Sequence, residues 1–198
     1  MNTTEQPTTK NPLKILLSVA VLLVGAATIA VTSLALFTDT ATVGANSFTT
    51  GTIDINTAPV SAVVEMPAMV PGDQITNPLT VRNDGTLELR YAIESTTTED
   101  TLASELVMTI KSGVTTCDDA NWAADGTTLY SGRLGSTGMD AVLGSAVPGV
   151  DAGDRVLAST ASEVLCFNVT LPLAATAGQG TTTVATLDFE AEQTANNP

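Results

Sequence analysis

The chain divides, by its pattern of apolar and polar positions, into an N-terminal apolar run and a longer part of short alternating runs. No charged residue occurs from Ile15 to Leu36. Beyond Asp39 the chain is rich in Thr, and clusters of Gly, Pro, Asn and Asp separate runs of β-forming residues. This pattern predicts helical turns at 98–104 and 118–122, and strands near 51–57, 60–66, 78–83, 87–95, 105–111, 127–133, 155–159, 163–171 and 181–191.

Short strands in this number predict an all-β fold, a jelly-roll-like antiparallel β-sandwich preceded by an N-terminal signal or apolar helix. We expect three parts. Residues 1–35 are a signal peptide, residues 36–50 are an N-terminal strand-like segment, and residues 51–198 are one sandwich domain.

The N-terminal run has the features of an export signal. Lys10 and Lys14 precede the apolar stretch, and small residues at Ser33 and Ala35 suit a signal peptidase. We therefore expect cleavage after Ala35, which makes Leu36 the new N-terminus. The run also approaches the ~20 residues that span a bilayer, so an uncleaved anchor is the alternative. The lysine pair places the start of the chain in the cytoplasm and the rest outside.

The charge balance excludes one class of partner. The net charge is −14, and removal of residues 1–35 leaves 5 basic and 20 acidic residues, a net charge of −15. Such a surface repels the phosphates of nucleic acids and anionic lipids, so we expect no nucleic-acid partner. Contact with a membrane is expected only through an uncleaved signal.

Two cysteines, Cys117 and Cys166, follow the predicted signal. In an exported chain they predict one structural disulfide, which would stabilise the fold by roughly 4 kcal/mol. Two buried free thiols are the alternative.

The residue types argue against catalysis. The chain contains no histidine, so it lacks the His-rich ligand sets of zinc hydrolases and the imidazole base of Ser or Cys nucleophiles. Asp118 with Asp119, and Asp151 with Asp154, suit solvated loops, although clustered oxygens also suit weak calcium binding. We therefore assign no catalytic residue, metal ligand or cofactor.

Several motifs, in order along the chain, resemble the TasA/camelysin (CalY) family of exported proteins. The junction Ala35-Leu36-Phe37-Thr38-Asp39 is similar to the family's small-x-Phe-x-Asp site, typical of substrates of the SipW-type signal peptidase. The remaining matches are Phe48-Thr49-Thr50-Gly51-Thr52-Ile53-Asp54-Ile55, Val70-Pro71-Gly72-Asp73, Asn83-Asp84-Gly85-Thr86-Leu87 and the final Phe189-Glu190-Ala191-Glu192-Gln193. Residue types alone make Pro71-Gly72 a turn and Asp84-Gly85 a hairpin.

The resemblance implies a jelly-roll subunit of extracellular matrix fibres or surface filaments, secreted or held at the cell surface. It implies head-to-tail assembly with copies of itself, in which the N-terminal segment of one subunit adds a strand to the next. Within 36–50 the apolar residues are Phe37, Ala41, Val43, Ala45 and Phe48, and the first four share one parity, as one face of a strand requires. They are the predicted assembly strand.

Two alternatives remain open. The resemblance to camelysin implies, as one alternative, a cell-surface metallo-endopeptidase, and the absence of histidine disfavours that activity. A membrane-anchored surface domain that does not polymerise would keep the apolar run in the bilayer.

Overall fold

The described part of the chain is built almost entirely of β-strands. The computed structural model describes residues 49–61 and 63–197. Its strands and single short helix are β1 (Ile55–Ala58), β2 (Gln74–Asn83), β3 (Leu89–Thr97), α1 (Thr101–Glu105), β4 (Val107–Ser112), β5 (Thr127–Arg133), β6 (Asp140–Leu143), β7 (Arg155–Leu157), β8 (Ser162–Thr170) and β9 (Ala185–Gln193). All strand pairs are antiparallel, which confirms the predicted fold class.

The strands form two sheets. The first has the order β1-β2-β8-β4-β5. In the second, β3 is central: β9 pairs along its whole length on one side, and β6 and β7 share the other side. Because β2 and β8 are far apart in sequence but adjacent in the sheet, the connections cross between sheets, as in a jelly roll.

The core lies between the two sheets because alternate residues of each strand point inward. In β8 the odd-numbered residues Leu165, Phe167 and Val169 are buried against Tyr91 and Ile93 of β3. The strand predicted at 163–171 is therefore confirmed, although Val164 is exposed and residues 165–169 are all buried. The same inward parity continues in β9, whose Leu187, Phe189 and Ala191 pack against this core but stay partly exposed.

Two local features differ from the prediction. No strand forms among the described residues of 60–66: Pro59 and Pro67 bracket this stretch and remove backbone donors, and Val60 is 93% exposed. Strand β6 was not predicted, because its four residues are too short for a periodic signal. The helical turn predicted at 118–122 forms as a single turn, closed by a bond from Trp122 N–H to Asp118 O (3.0 Å).

The predicted hairpin at Asp84-Gly85 is also wrong. Strands β2 and β3 flank this turn but belong to different sheets and do not pair. Residues 83–88 instead form an arch from one sheet to the other. Of the predicted helical turn at 98–104, α1 forms at Thr101–Glu105, and Glu99 accepts hydrogen bonds from the backbone N–H groups of Thr101, Leu102 and Ala103.

Candidate functional site

The N-terminal end of the described domain is held by backbone hydrogen bonds to the arch between the sheets. Thr52 O accepts bonds from the N–H groups of Thr86 (3.0 Å) and Leu87 (3.2 Å), and Thr52 N–H donates to Thr86 Oγ1 (2.9 Å). Asp84 N–H donates to Asp54 O (2.8 Å). We call residues 51–54 with 83–87 the N-terminal clasp. It brings together two motifs that lie about thirty residues apart in the sequence.

Two glycines make this close approach feasible. A Cβ on Gly85 would clash with Thr52 O and lie 2.9 Å from Asp54 N. A Cβ on Gly51 would overlap the side chain of Leu87. Gly85 is therefore explained by the passage of another backbone segment rather than by the turn itself.

Asn83 supports the clasp from beneath. Its side chain is fully buried and donates to Leu87 O (2.8 Å), Leu157 O (3.1 Å) and Ala158 O (3.2 Å), while its Oδ1 accepts from Gly85 N–H (2.9 Å). One amide therefore ties the end of β2 to the arch and to the end of β7. Buried polar groups of this kind specify one arrangement because each unmade bond is costly.

The solvent side of the clasp carries a small polar cluster. Asn56 Nδ2 bridges Asp54 Oδ1 and Asp84 Oδ2, both at 3.0 Å. Arg82 pairs with Asp84 at 2.7 Å, but both side chains are largely exposed, so this ion pair contributes little to stability. The clasp is therefore held mainly by its backbone bonds and by Asn83.

A disulfide joins Cys117 to Cys166, which confirms the predicted pairing. Cys166 lies on the outer face of the central strand β8, and the loop between β4 and β5 covers it. Lys111 also holds this loop: its Nζ lies 5.0 Å from the Trp122 ring centroid and donates to Trp122 O and Asp125 O. Hydrogen bonds from Thr115 lower the pKa of Asp125.

A partly buried ionic group links the two sheets. Tyr91 of β3 donates its hydroxyl to Glu163 of β8 (2.7 Å), and Glu163 pairs with Arg155 of β7. Burial, with the adjacent Glu163, raises the pKa of Tyr91 well above its usual value. Tyr91 is therefore neutral at any physiological pH and acts as a structural hydrogen-bond donor.

A second ion pair fixes β9 to β3. Arg90 is 5% exposed on the outer face and pairs with Glu192, which also accepts from Gly149 N–H (2.9 Å). The bond from Gly149, together with Arg90, lowers the pKa of Glu192. This contact holds the C-terminal half of β9 in place.

The paired carboxylates serve as loop caps. Asp118 Oδ1 accepts from the N–H groups of Ala120 and Asn121, and Asp154 accepts from those of Ser145 and Asp151. Within residues 49–61 and 63–197, no three His, Cys, Asp or Glu side chains are grouped as they would be to hold a metal ion.

The predicted cleavage residues Ser33, Ala35 and Leu36 lie outside the described residues, as do Phe37, Ala41, Val43, Ala45 and Phe48 of the predicted assembly strand. The described part starts at Thr49, directly before the clasp. It contains no helix long and apolar enough to cross a membrane.

Sequence reasoning identified the clasp motifs singly but missed their contact. Gly51-Thr52 was placed in a predicted strand and Gly85-Thr86 beside a predicted hairpin turn, and neither pattern indicates that the two segments meet.

The fold and the clasp define a jelly-roll domain with a fixed point of exit for its N-terminal segment. The sequence model of the camelysin metallo-endopeptidase family matches residues 12–105, a range that includes both halves of the clasp. The match confirms the resemblance to the TasA/camelysin family over this part of the chain. No curated protein matches the chain.

Proposed function

We propose that the chain is a secreted structural subunit of extracellular matrix fibres or surface filaments. The signal is removed after Ala35 by a SipW-type peptidase, and the freed N-terminal segment of one subunit adds a strand to the next. The observation that supports this proposal is the clasp, which holds the residues directly after the predicted assembly segment to the arch between the sheets by backbone hydrogen bonds.

The described core supports this role. Leu79, Ile93, Ile110 and Phe167 are fully buried between the two sheets of the described domain. Residues 36–48 would pair with another copy through main-chain bonds and a row of small apolar side chains, which suffice to add a strand.

The geometry of such a contact gives filaments. The donating segment and the accepting surface are different parts of the subunit, so the interface is heterologous and leaves one of each free at the two ends. Growth then continues by addition of further copies, and cleavage is the step that starts it.

Mass spectrometry of the exported chain tests the first step. The proposal predicts a mass for residues 36–198. A mass that retains residues 1–35 on a membrane-bound protein would instead support the anchored, non-polymerising surface domain.

The second candidate is a cell-surface metallo-endopeptidase, because the matched family is described as camelysin metallo-endopeptidase. The absence of histidine anywhere in the chain disfavours this activity. Incubation of the purified exported chain with casein, with and without a chelator, distinguishes the two. Cleavage that the chelator abolishes would support the peptidase, and intact casein would support the structural role.

A further inference from the structure

Strand β9 has one whole edge without a partner among the described residues. It pairs only with β3. Hydrogen bonds from Thr194 N–H to Glu88 O and from Thr98 N–H to Val184 O show that the backbone N–H and C=O groups of the even-numbered β9 residues point toward β3. Because backbone groups alternate along a strand, the odd-numbered residues of β9 direct N–H and C=O to the open side. These are Ala185, Leu187, Phe189, Ala191 and Gln193.

The other edges of the described sheets carry features that block strand addition. Strand β1 covers β2 only from Thr80 to Asn83. The backbone groups of odd-numbered β2 residues bond toward β8, as those of Asp73 and Asn83 show, so the even-numbered Pro78 faces the open side and offers no N–H donor. At the edge of β5 a bulge interrupts the pairing, and Tyr130 donates its hydroxyl to Arg133 O (2.8 Å). Strands β1, β6 and β7 have at most four residues each.

β9 has none of these blocks. It contains no Pro or Gly, it is nine residues long, and its register with β3 is unbroken from Ala185 to Gln193. Its inward side chains Leu187 and Phe189 are only partly buried, whereas Tyr91 and Ile93 on the neighbouring strand are almost fully buried. A strand added beside β9 would cover this remaining apolar surface.

Charge decides which strand fits. Asp188, Glu190 and Glu192 line the outer face of β9. Antiparallel pairing of β9 with a second β9 about Phe189 would set Asp188 opposite Glu190, and like charges directly opposite are destabilising. An uncharged strand meets no such penalty. Residues 40–50 of this chain, Thr-Ala-Thr-Val-Gly-Ala-Asn-Ser-Phe-Thr-Thr, contain no charged residue.

We infer that the outer edge of β9 is the acceptor for residues 41–48 of a neighbouring copy. This inference rests on the proposed function and names the partner surface for it. The apolar residues Ala41, Val43 and Ala45 extend the inward row of Leu187 and Phe189. The residues of opposite parity, Thr42, Gly44, Asn46 and Phe48, carry no charge and lie beside the acidic outer row.

Pairing of this edge with residues 41–48 of the same copy is the alternative to pairing between copies. Thr52 contacts Leu87, while Glu88 of the arch bonds to Thr194 just after β9. The exit of the segment and the end of β9 therefore lie at the same end of the domain. The test must separate pairing within one copy from pairing between copies.

Photo-crosslinking on the exported full chain makes that separation. A diazirine amino acid replaces Thr42, whose side chain has the parity opposite to the apolar row, in chains that carry a heavy-isotope label. These are mixed with unlabelled chains before assembly. We expect cross-links between a heavy-isotope peptide that contains position 42 and an unlabelled peptide that contains residues 185–193.

Each other result overturns the inference in a distinct way. Cross-links to 185–193 only within one isotope population mean that the segment occupies its own edge. Cross-links between copies that reach another strand exclude β9 but retain the proposed function. The absence of any cross-link between copies contradicts the proposed function as well.

Proline substitution gives an independent readout. Ala191→Pro removes an N–H that faces the open side and leaves the bonds to β3 in place, and Ser131→Pro is the matched change on the open side of β5. Melting curves first establish whether each variant is folded. If Ala191→Pro is unfolded, the cross-linking experiment alone decides the assignment. We expect Ala191→Pro to lose filaments and Ser131→Pro to retain them. Filaments retained by Ala191→Pro, or lost equally in both, would overturn the assignment.

Discussion

Replacement of Asn83 by Ala removes the hydrogen bonds that hold the clasp to the body of the domain. Two of the four bonds, to Leu157 O and from Gly85 N–H, lie in buried surroundings, and the other two are partly buried. Each lost bond costs about 1 kcal/mol, somewhat less where water can replace the partner. Asn83→Ala should therefore lower the free energy of unfolding by about 3 kcal/mol, a decrease in melting temperature on the order of 10 °C.

Guanidinium denaturation followed by circular dichroism measures this change in the exported chain. Asn77→Ala is the control, because Asn77 lies half-buried in the same strand and makes no side-chain hydrogen bond within the described residues. The control should change the unfolding free energy by less than about 1 kcal/mol. Equal losses in the two variants would refute the role assigned to Asn83, since loss of any half-buried amide would then explain both.

Three further outcomes follow from the same structure. Gly85→Ala should lower the melting temperature, because its Cβ meets the backbone of Thr52, whereas Gly138→Ala, with only a distant Ser136 Oγ nearby, should leave it unchanged in the same scan. Cys117→Ala should lower the free energy of unfolding in denaturant by about 4 kcal/mol, because it opens a loop of 49 residues; no loss would show that the covering loop is ordered without it. The pKa of Glu192 is lowered in the folded protein, so its contribution to stability is complete above the usual pKa near 4.5 and is lost as the pH falls through the lower folded value. Glu192→Gln should therefore flatten the acid side of a melting-temperature profile measured from about pH 7 to about pH 3. An unchanged acid slope would contradict it.

The sandwich could be predicted from sequence wherever a strand has one buried face over several residues. The strand predicted at 163–171 nearly matches the bounds of β8, Ser162–Thr170. The failures occurred where tertiary contacts override local signals. Asp84-Gly85 has the composition of a hairpin turn, but Asn83 turns inward to β7 and directs the chain to the other sheet.

The candidate site was predictable in parts and not as a whole. Sequence alone located the motifs around Gly51 and Gly85, but it interpreted the first as a strand and the second as a local hairpin turn. Their contact is long-range, and no periodicity links residue 52 to residue 86. The open edge of β9 was likewise invisible, because a strand's position in a sheet depends on which strands pair beside it, not on its own pattern.

The central claim is that residues 36–50 link one copy to the next. Electron microscopy of the purified exported chain, residues 36–198, beside a chain that starts at Gly51 and so retains the clasp, tests it most directly. The account predicts filaments from the first protein and folded monomers from the second. Monomers from both, or filaments from the shortened chain, would contradict it.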